Sequence, residues 1–341
     1  MLQQRTAIIR LLLAGIVLLS FFVSGCQAQP EESPAVVVEE LEMNDSEADA
    51  TNDSAPVLNV VASFFPYADL LQQVGGDLVN VHQIVPDGVD PHGFELSPRE
   101  LVRLESAHFI LYNGLDMEIW MTGAIQQLDE FGVSMLKAGD TVELLSLIEE
   151  SHGHAHDHDE DEHDHGVWDP HVWTDPVNMQ LIGKQVAEKL KVLDPVHADE
   201  YQERYESYAS ALKEVDAAFR QVSEDADQKI LLVSHAAFGY LAHRYDFQQI
   251  AVAGVVPHAE PNPGRLAELT KLAREKELDH IFFETLANPR TAEVLANEAG
   301  LKTYTLHNLE GITAEQRAAG ETYLSLMWKN VATLEKALVH K

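Results

Sequence analysis

Six histidines, His152, His154, His156, His158, His163 and His165, alternate with aspartate and glutamate. A seventh, His171, follows inside Trp168-Asp169-Pro170-His171-Val172-Trp173-Thr174-Asp175-Pro176. Imidazole is the commonest protein ligand for zinc, so this density points to divalent metal rather than to an ordinary charged loop. The two halves suit different tasks. The first offers nitrogen and oxygen donors with nothing apolar to bury, so it is expected to be a mobile loop that gathers cations loosely and takes at most a second, weakly held ion. In the second half two prolines and two tryptophans stiffen the backbone around His171, which is what a defined site requires.

The chain opens with two arginines, an apolar run from Leu11 to Val23, and Ser24-Gly25-Cys26. The run is short for a membrane span and ends in small residues, so 1–25 is expected to be an export signal, leaving the rest outside the cytoplasm. Val23-Ser24-Gly25-Cys26 resembles the bacterial lipobox, which implies cleavage before Cys26 and lipid attachment to its thiol. Cys26 is the only cysteine, so intrachain disulfides and thiolate metal ligands are excluded. Residues 27–56 carry nine acids and no Lys or Arg, and are expected to be a disordered acidic tether. The formal charge of −33 falls to −18 when Arg5, Arg10, the tether and the acids of 149–165 are set aside. The folded part is still acidic, which argues against a nucleic-acid partner and suits a protein that attracts cations.

Something must hold the donors in place, and the pattern from Val57 onward is of α/β units with mainly parallel sheets. A first lobe, 57–175, includes strands at Val57–Ser63, Leu78–Val85, His108–Tyr112 and Val133–Lys137. Helices are expected at Tyr67–Val74, from Ser97-Pro98 with Glu100 in the first turn, and at Glu118–Asp129. Connecting helices fill 176–227, broken at Asp194-Pro195, with a helix from near His197 to Ser223 long enough to brace both lobes. A second lobe, 228–341, repeats the alternation with strands at Lys229–Ser234, Phe247–Val252, His280–Glu284 and Lys302–Leu306. Its helices follow His235, start at Asn262-Pro263 and Asn288-Pro289, and close with a last helix opened by Thr313 with Gln316. The fold class is α/β: two doubly wound lobes joined by a long rigid helix.

Three more candidates lie beyond strand ends, where open α/β sheets bind ligands: His92, after the strand ending near Val85; His235, after Ser234; and Glu310, after Leu306. His171 lies at the lobe boundary. Asp90-Pro91-His92-Gly93-Phe94-Glu95-Leu96-Ser97-Pro98, Trp168-Asp169-Pro170-His171-Val172-Trp173, Ser234-His235-Ala236-Ala237-Phe238-Gly239-Tyr240 and Asn308-Leu309-Glu310-Gly311 resemble the four ligand-bearing segments of the zinc-specific solute-binding lipoproteins of bacterial ABC importers. The likeness runs from about Val57 to the C-terminus, with all four segments in order. It implies that His92, His171, His235 and Glu310 bind zinc, two from each lobe, and that a membrane permease of the ABC class receives it. A His-rich loop ahead of the second ligand is also a feature of that family.

Three imidazoles and a carboxylate suit tetrahedral Zn²⁺, whereas manganese sites use more oxygen. Four protein ligands leave no position for an activated water, so capture and release are expected rather than catalysis. With water in place of Glu310, a zinc hydrolase becomes the rival. Other rivals are a manganese or iron importer component and a zinc-dependent adhesin or metal buffer. A monomer, anchored to the membrane through Cys26, is expected. Glu284 is read as a crevice residue hydrogen-bonded to backbone, with a fallback role as ligand. His307 is read as a surface residue or a support for Glu310, and His258 as a loop residue. His82, His108, His197, His243, His280 and His340 are read as ordinary structural or solvent-facing histidines, and Trp168 and Trp173 as either seals of the site or packing between lobes.

Overall fold

The computed structural model describes residues 57–147, 168–255, 263–286 and 290–340. Cys26 and the export signal, the tether, His152–His165, His258, Asn262 and Asn288-Pro289 lie outside the described residues.

Short runs rich in Val, Ile, Leu and Phe form the inner strands of two four-stranded parallel sheets, whose edge strands are more polar. In the first, β1 (Leu58–Ala62) sits between β2 (Val79–Gln83) and β3 (Phe109–Tyr112), and β4 (Ser134–Lys137) pairs with β3, giving the order β2-β1-β3-β4. In the second, β5 (Ile230–Val233) sits between β6 (Gln248–Ala251) and β7 (His280–Phe283), and β8 (Lys302–Thr305) pairs with β7. The two orders are equivalent, and each has a topological switch point, between β1 and β3 and between β5 and β7. The inner strands β3 and β5 are buried at every residue, as expected when helices cover both faces of a parallel sheet.

Ten helices among the described residues cover the sheets: α1 (Phe65–Gly75), α2 (Pro98–Glu105), α3 (Thr122–Glu130), α4 (Pro176–Leu193), α5 (Ala198–Asp225), α6 (Gly239–Arg244), α7 (Pro263–Glu275), α8 (Arg290–Ala299), α9 (Ala314–Ala318) and α10 (Tyr323–Leu338). Helix α5 has 28 residues, about 42 Å at the standard rise. Its buried residues, among them Tyr201, Tyr208, Leu212, Val215, Phe219 and Val222, recur every three or four positions or one heptad apart, so one stripe faces inward. That stripe joins Val60 and Leu111 of the first sheet, Leu231 and Phe282 of the second and Leu334 of α10 in one continuous apolar core. The outer faces are separate: α2 and α3 cover Ile110 through Leu104 and Leu128, while α7 and α8 cover Ile281 through Leu269 and Leu295. A core shared between lobes resists hinge motion, because opening it would expose apolar surface.

Two elements differ from the sequence expectation. The expected helix at Glu118–Asp129 begins at Thr122, because Glu118 turns its carboxylate back to accept from the N–H groups of Asn113 at 2.8 Å and Gly114 at 2.9 Å. The last helix opened by Thr313 is two helices: the Thr313–Gln316 capping box starts only the short α9, and the chain turns at Gly320 with φ +74°. A second capping box, Thr322 with Ser325, then opens α10.

Candidate metal centre

The crevice between the sheets brings four chemistry-bearing side chains together. His92 follows β2, His171 precedes α4, His235 lies two residues past β5, and Glu310 follows β8. One donor atom from each lies within 4.8 Å of all the others. Glu310 Oε1 is 3.6 Å from His92 Nε2, 3.3 Å from His171 Nε2 and 3.4 Å from His235 Nε2. His92 is the least buried of the four.

Three of the four are aimed by the same local device. The His92 N–H donates to Asp90 Oδ1 at 2.8 Å, the His171 N–H to Asp169 Oδ1 at 2.9 Å, and the Glu310 N–H to Asn308 Oδ1 at 3.4 Å. Each is an Asx turn, in which a short polar side chain caps the backbone two residues on. In the third the left-handed Leu309, φ +65°, donates its N–H to His307 Nδ1 at 3.0 Å. His235 is held instead by a residue 49 positions away: its N–H donates to Glu284 Oε1 at 3.1 Å and its Nδ1 lies against Glu284 Oε2. Glu284 also accepts from Ser234 Oγ at 2.5 Å and from Asn308 Nδ2 at 2.9 Å. It thus orients His235 and supports the Glu310 turn, and it is not among the four converging residues.

Contacts across the crevice fix the two sets of loops together. Trp173 is fully buried, packs edge-on to His171 at 5.3 Å between centroids and donates its indole N–H to the Asn308 carbonyl at 2.8 Å. Trp168, by contrast, is 41% exposed. The Tyr240 hydroxyl donates to the Asp169 carbonyl at 2.9 Å, and Gly239 packs closely beside it: a Cβ there would lie 2.3 Å from Asp169 Oδ2 and push that carboxylate aside. Arg317 of α9 pairs with Asp87 at 2.7 Å, and the Gly88 N–H donates to the Ile312 carbonyl at 2.8 Å, tying the His92 loop to the Glu310 loop.

Four donor atoms, Nε2 of His92, His171 and His235 and Oε1 of Glu310, are buried with no hydrogen-bond partner. Such atoms are costly unless something satisfies them. A tetrahedral ion with bonds of roughly 2.0–2.1 Å sets its donors about 3.3 Å apart, close to the separations around Glu310. Burial alone would lower the pKa of His171 and His235, but Asp169 and Glu310 outweigh it for the first, and Glu284 and Glu310 raise the second to about 10. Burial would raise the Glu310 carboxyl, yet the facing imidazoles hold it well below the usual range. With Glu310, Glu284 and Asp169 close together, the crevice attracts positive charge.

The remaining candidates stay apart. Burial depresses the His307 pKa to about 4, and its backbone N–H and carbonyl are both bonded to Asn330. It is buried rather than at the surface, and it supports the Leu309 turn. His82 contacts Glu100 and Arg103, His108 accepts from the Asn59 N–H, His197 and His280 contact Asp194 and Asp279, and His243 and His340 are exposed. The supporting roles of Asp90 and Asp169 were not singled out from sequence, although Asp-Pro-His occurs at both.

Two parallel sheets fused through one core, with three imidazoles and a carboxylate converging in the crevice between them, define a bilobed metal-binding protein. The chain belongs to the ZnuA family, "Zinc-uptake complex component A periplasmic", which it matches over residues 60–337; the family is one of transport components, not of enzymes. It is 36% identical over 279 residues to the zinc-binding lipoprotein AdcA of Streptococcus pneumoniae, covering 82% of this chain and 55% of that protein. To the high-affinity zinc uptake system protein ZnuA of Bacillus subtilis it is 33% identical over 298 residues, covering 87% and 93%. The crystal structure of the Zn(II)-bound ZnuA-like domain of S. pneumoniae AdcA matches with a TM-score of 0.70 at 32% identity, over 84% of this chain and 100% of that one. The chain therefore spans about half the length of the AdcA relatives and nearly all of the B. subtilis protein.

Proposed function

We propose that this protein captures Zn²⁺ between its lobes, with His92, His171, His235 and Glu310 as ligands, and delivers it to the membrane permease of an ABC importer. The observation that carries the reading is the convergence of four buried, unpartnered donor atoms from four separate loops. Three imidazoles and one carboxylate favour zinc over manganese, and a shell closed by four protein donors binds and releases rather than activating water. Because the lobes share a core, capture orders the loops at the crevice instead of swinging domains. The name of the AdcA relative, a zinc-binding lipoprotein, supports the metal, and that of the B. subtilis relative, a high-affinity zinc uptake system protein, supports the transport role. In the same reading the chain acts outside the cytoplasm as a monomer, held to the membrane by lipid on Cys26, while His152–His165 raise local zinc at the entrance.

Native mass spectrometry of the chain from Val57 tests this, comparing wild type, a deletion of 152–165 and His235→Ala. Wild type and the loop deletion keep one tightly held zinc, and His235→Ala loses it. A variant His235→Ala that still carries zinc after dialysis overturns the ligand set, and greater thermal stabilisation by Mn²⁺ than by Zn²⁺ overturns the choice of metal.

A further inference from the structure

A second cavity, of about 430 Å³, opens in the second lobe among the end of β8, α9 and α10. None of the four converging residues lines it, but His307, three residues before Glu310, does. Its wall combines two chemistries. Leu326, Ala332 and Tyr304 give apolar and aromatic surface, and Lys329 and Lys336 bring two ammonium groups. Lys329 is paired with Glu321, whereas the Lys336 ammonium lies 5.5 Å from the centre of the Tyr304 ring, with no carboxylate paired to it among the described residues.

Two polar atoms of the lining residues are buried without a hydrogen bond, Thr285 Oγ1 and His307 Nε2. The Leu309 N–H donates to His307 Nδ1, so the neutral ring carries its proton on Nε2. That nitrogen is then a donor with no hydrogen bond of good geometry; the Gln316 side chain lies near enough to oppose the effect of burial, but its oxygen is already engaged by the Thr313 N–H. A buried donor left over in a cavity whose mouth carries an exposed ammonium suits an anionic acceptor.

We propose that this cavity binds a small carboxylate with an apolar body, its oxygens taking the His307 Nε2–H and the Lys336 ammonium and its body lying on Leu326, Ala332 and Tyr304. The cavity reaches the metal centre through a single turn. His307 Nδ1 holds the N–H of left-handed Leu309, and the next residue is Glu310. An acceptor on Nε2 polarises the ring and strengthens Nδ1 as an acceptor, which firms the turn that aims Glu310. Occupancy and metal capture are therefore coupled, and by the same factor in both directions. The carboxylate site stands independently of which metal the crevice takes, because it is read on the metal-free protein.

The test titrates the metal-free full chain, labelled with ¹⁵N at histidine, with benzoate and, separately, with inorganic phosphate. Benzoate moves the His307 imidazole resonances saturably. Lys336→Met, a change at an exposed residue, weakens it about fivefold or more while leaving the melting temperature within a degree or two. Loading with Zn²⁺ tightens benzoate binding about fivefold or more, the low end of common coupling factors. No saturable shift with benzoate, or an unchanged affinity in Lys336→Met, overturns the site. Tighter binding of phosphate than of benzoate overturns the apolar-bodied ligand, and equal benzoate affinity with and without zinc overturns the link to Glu310.

Discussion

Two residues beyond the end of its first strand, each lobe reaches the crevice, the first with Phe64 after β1 and the second with His235 after β5. One residue beyond the neighbouring inner strand, the first lobe has Asn113 and the second Glu284. The addresses are equivalent and their contents are not. Phe64 packs edge-on to Trp173 at 4.8 Å, and Asn113 takes the Tyr67 hydroxyl and donates to the Pro170 carbonyl at 2.9 Å, so this pair supports the loop ahead of His171. His235 and Glu284 are instead a member of the converging cluster, the metal donor of the proposed function, and the carboxylate that orients it. The first lobe brings its two donors from longer loops, each with a private aspartate, whereas both donors of the second lobe depend on Glu284. Equivalent strand order fixes where a donor can stand, and the side chains at the switch point decide whether one does.

That asymmetry predicts a ranking. Removal of an outer partner of a metal-bound histidine commonly costs about 10–100-fold in affinity. Glu284→Ala, which frees both His235 and Asn308, is expected to reach or exceed the top of that range. Asp169→Ala should fall within it, because Asp169 Oδ1 holds both the backbone and the ring of His171, and Asp90→Ala near its lower end, about tenfold. Competition against a chelator of known zinc affinity measures all three. A double-mutant cycle sharpens the point: Glu284→Ala with Asn308→Ala falls short of additive, while Glu284→Ala with Asp90→Ala adds. A larger loss from Asp169→Ala than from Glu284→Ala would break the comparison.

Proton competition follows the same divide. In the metal-free protein Glu284 and Glu310 overcome burial to hold His235 at about 10, so at neutral pH zinc must displace its proton. Apparent affinity therefore rises with pH, by about tenfold per unit for each proton displaced, and falls between pH 8 and 6. Glu284→Gln lowers the pKa of His235 and flattens this profile, which calorimetry in buffers of different ionisation enthalpy reads as fewer protons released. An unchanged proton count would detach Glu284 from His235.

Much of this was legible in the residues. Short apolar runs set against amphipathic stretches gave both sheets, Ser97-Pro98 gave the start of α2, and Asp175-Pro176 and Asp194-Pro195 bracket α4. His92, His171, His235 and Glu310 were selected from loop position and family likeness, and they converge. The Asp-Pro-His phrase, present at both Asp90 and Asp169, encodes its Asx turn locally and could have been read as one. Glu284 was read as a crevice residue hydrogen-bonded to backbone, and it does accept from the His235 N–H; its hold on the His235 ring could not be read, because it depends on register: Val233 pairs with Phe282, and that alignment sets His235 beside Glu284. The split between α9 and α10 had a signal in Gly320, which competed with a continuous helical pattern on either side.

Phe64→Ala tests the first lobe's use of its crevice address. Truncating a fully buried phenylalanine costs about 3–5 kcal/mol through lost burial and a residual cavity. The urea midpoint should fall accordingly, while native mass spectrometry still finds one zinc, because no donor is touched. Loss of zinc together with stability would mean that the Phe64–Trp173 contact sets the position of His171 more tightly than Asp169 does.

The smallest effect is expected at Glu118, the first lobe's own buried carboxylate beside the switch point. Burial raises its pKa to about 7 against the opposing pull of the Ser63 hydroxyl and of the Asn113 and Gly114 N–H groups. The folded chain thus keeps a proton that the unfolded chain releases between about 4.5 and 7, so this residue's contribution to stability is greatest below that window and declines as pH rises through it. Glu118→Gln removes the decline. The stability difference between wild type and variant should therefore shrink from pH 4.5 to 7.5 by an amount on the order of 1–3 kcal/mol, read from urea midpoints at each pH. A difference that grows with pH would show instead that the carboxylate is ionised in the fold and held by those two N–H groups. The first lobe would then resemble the second in building its crevice around a buried negative charge.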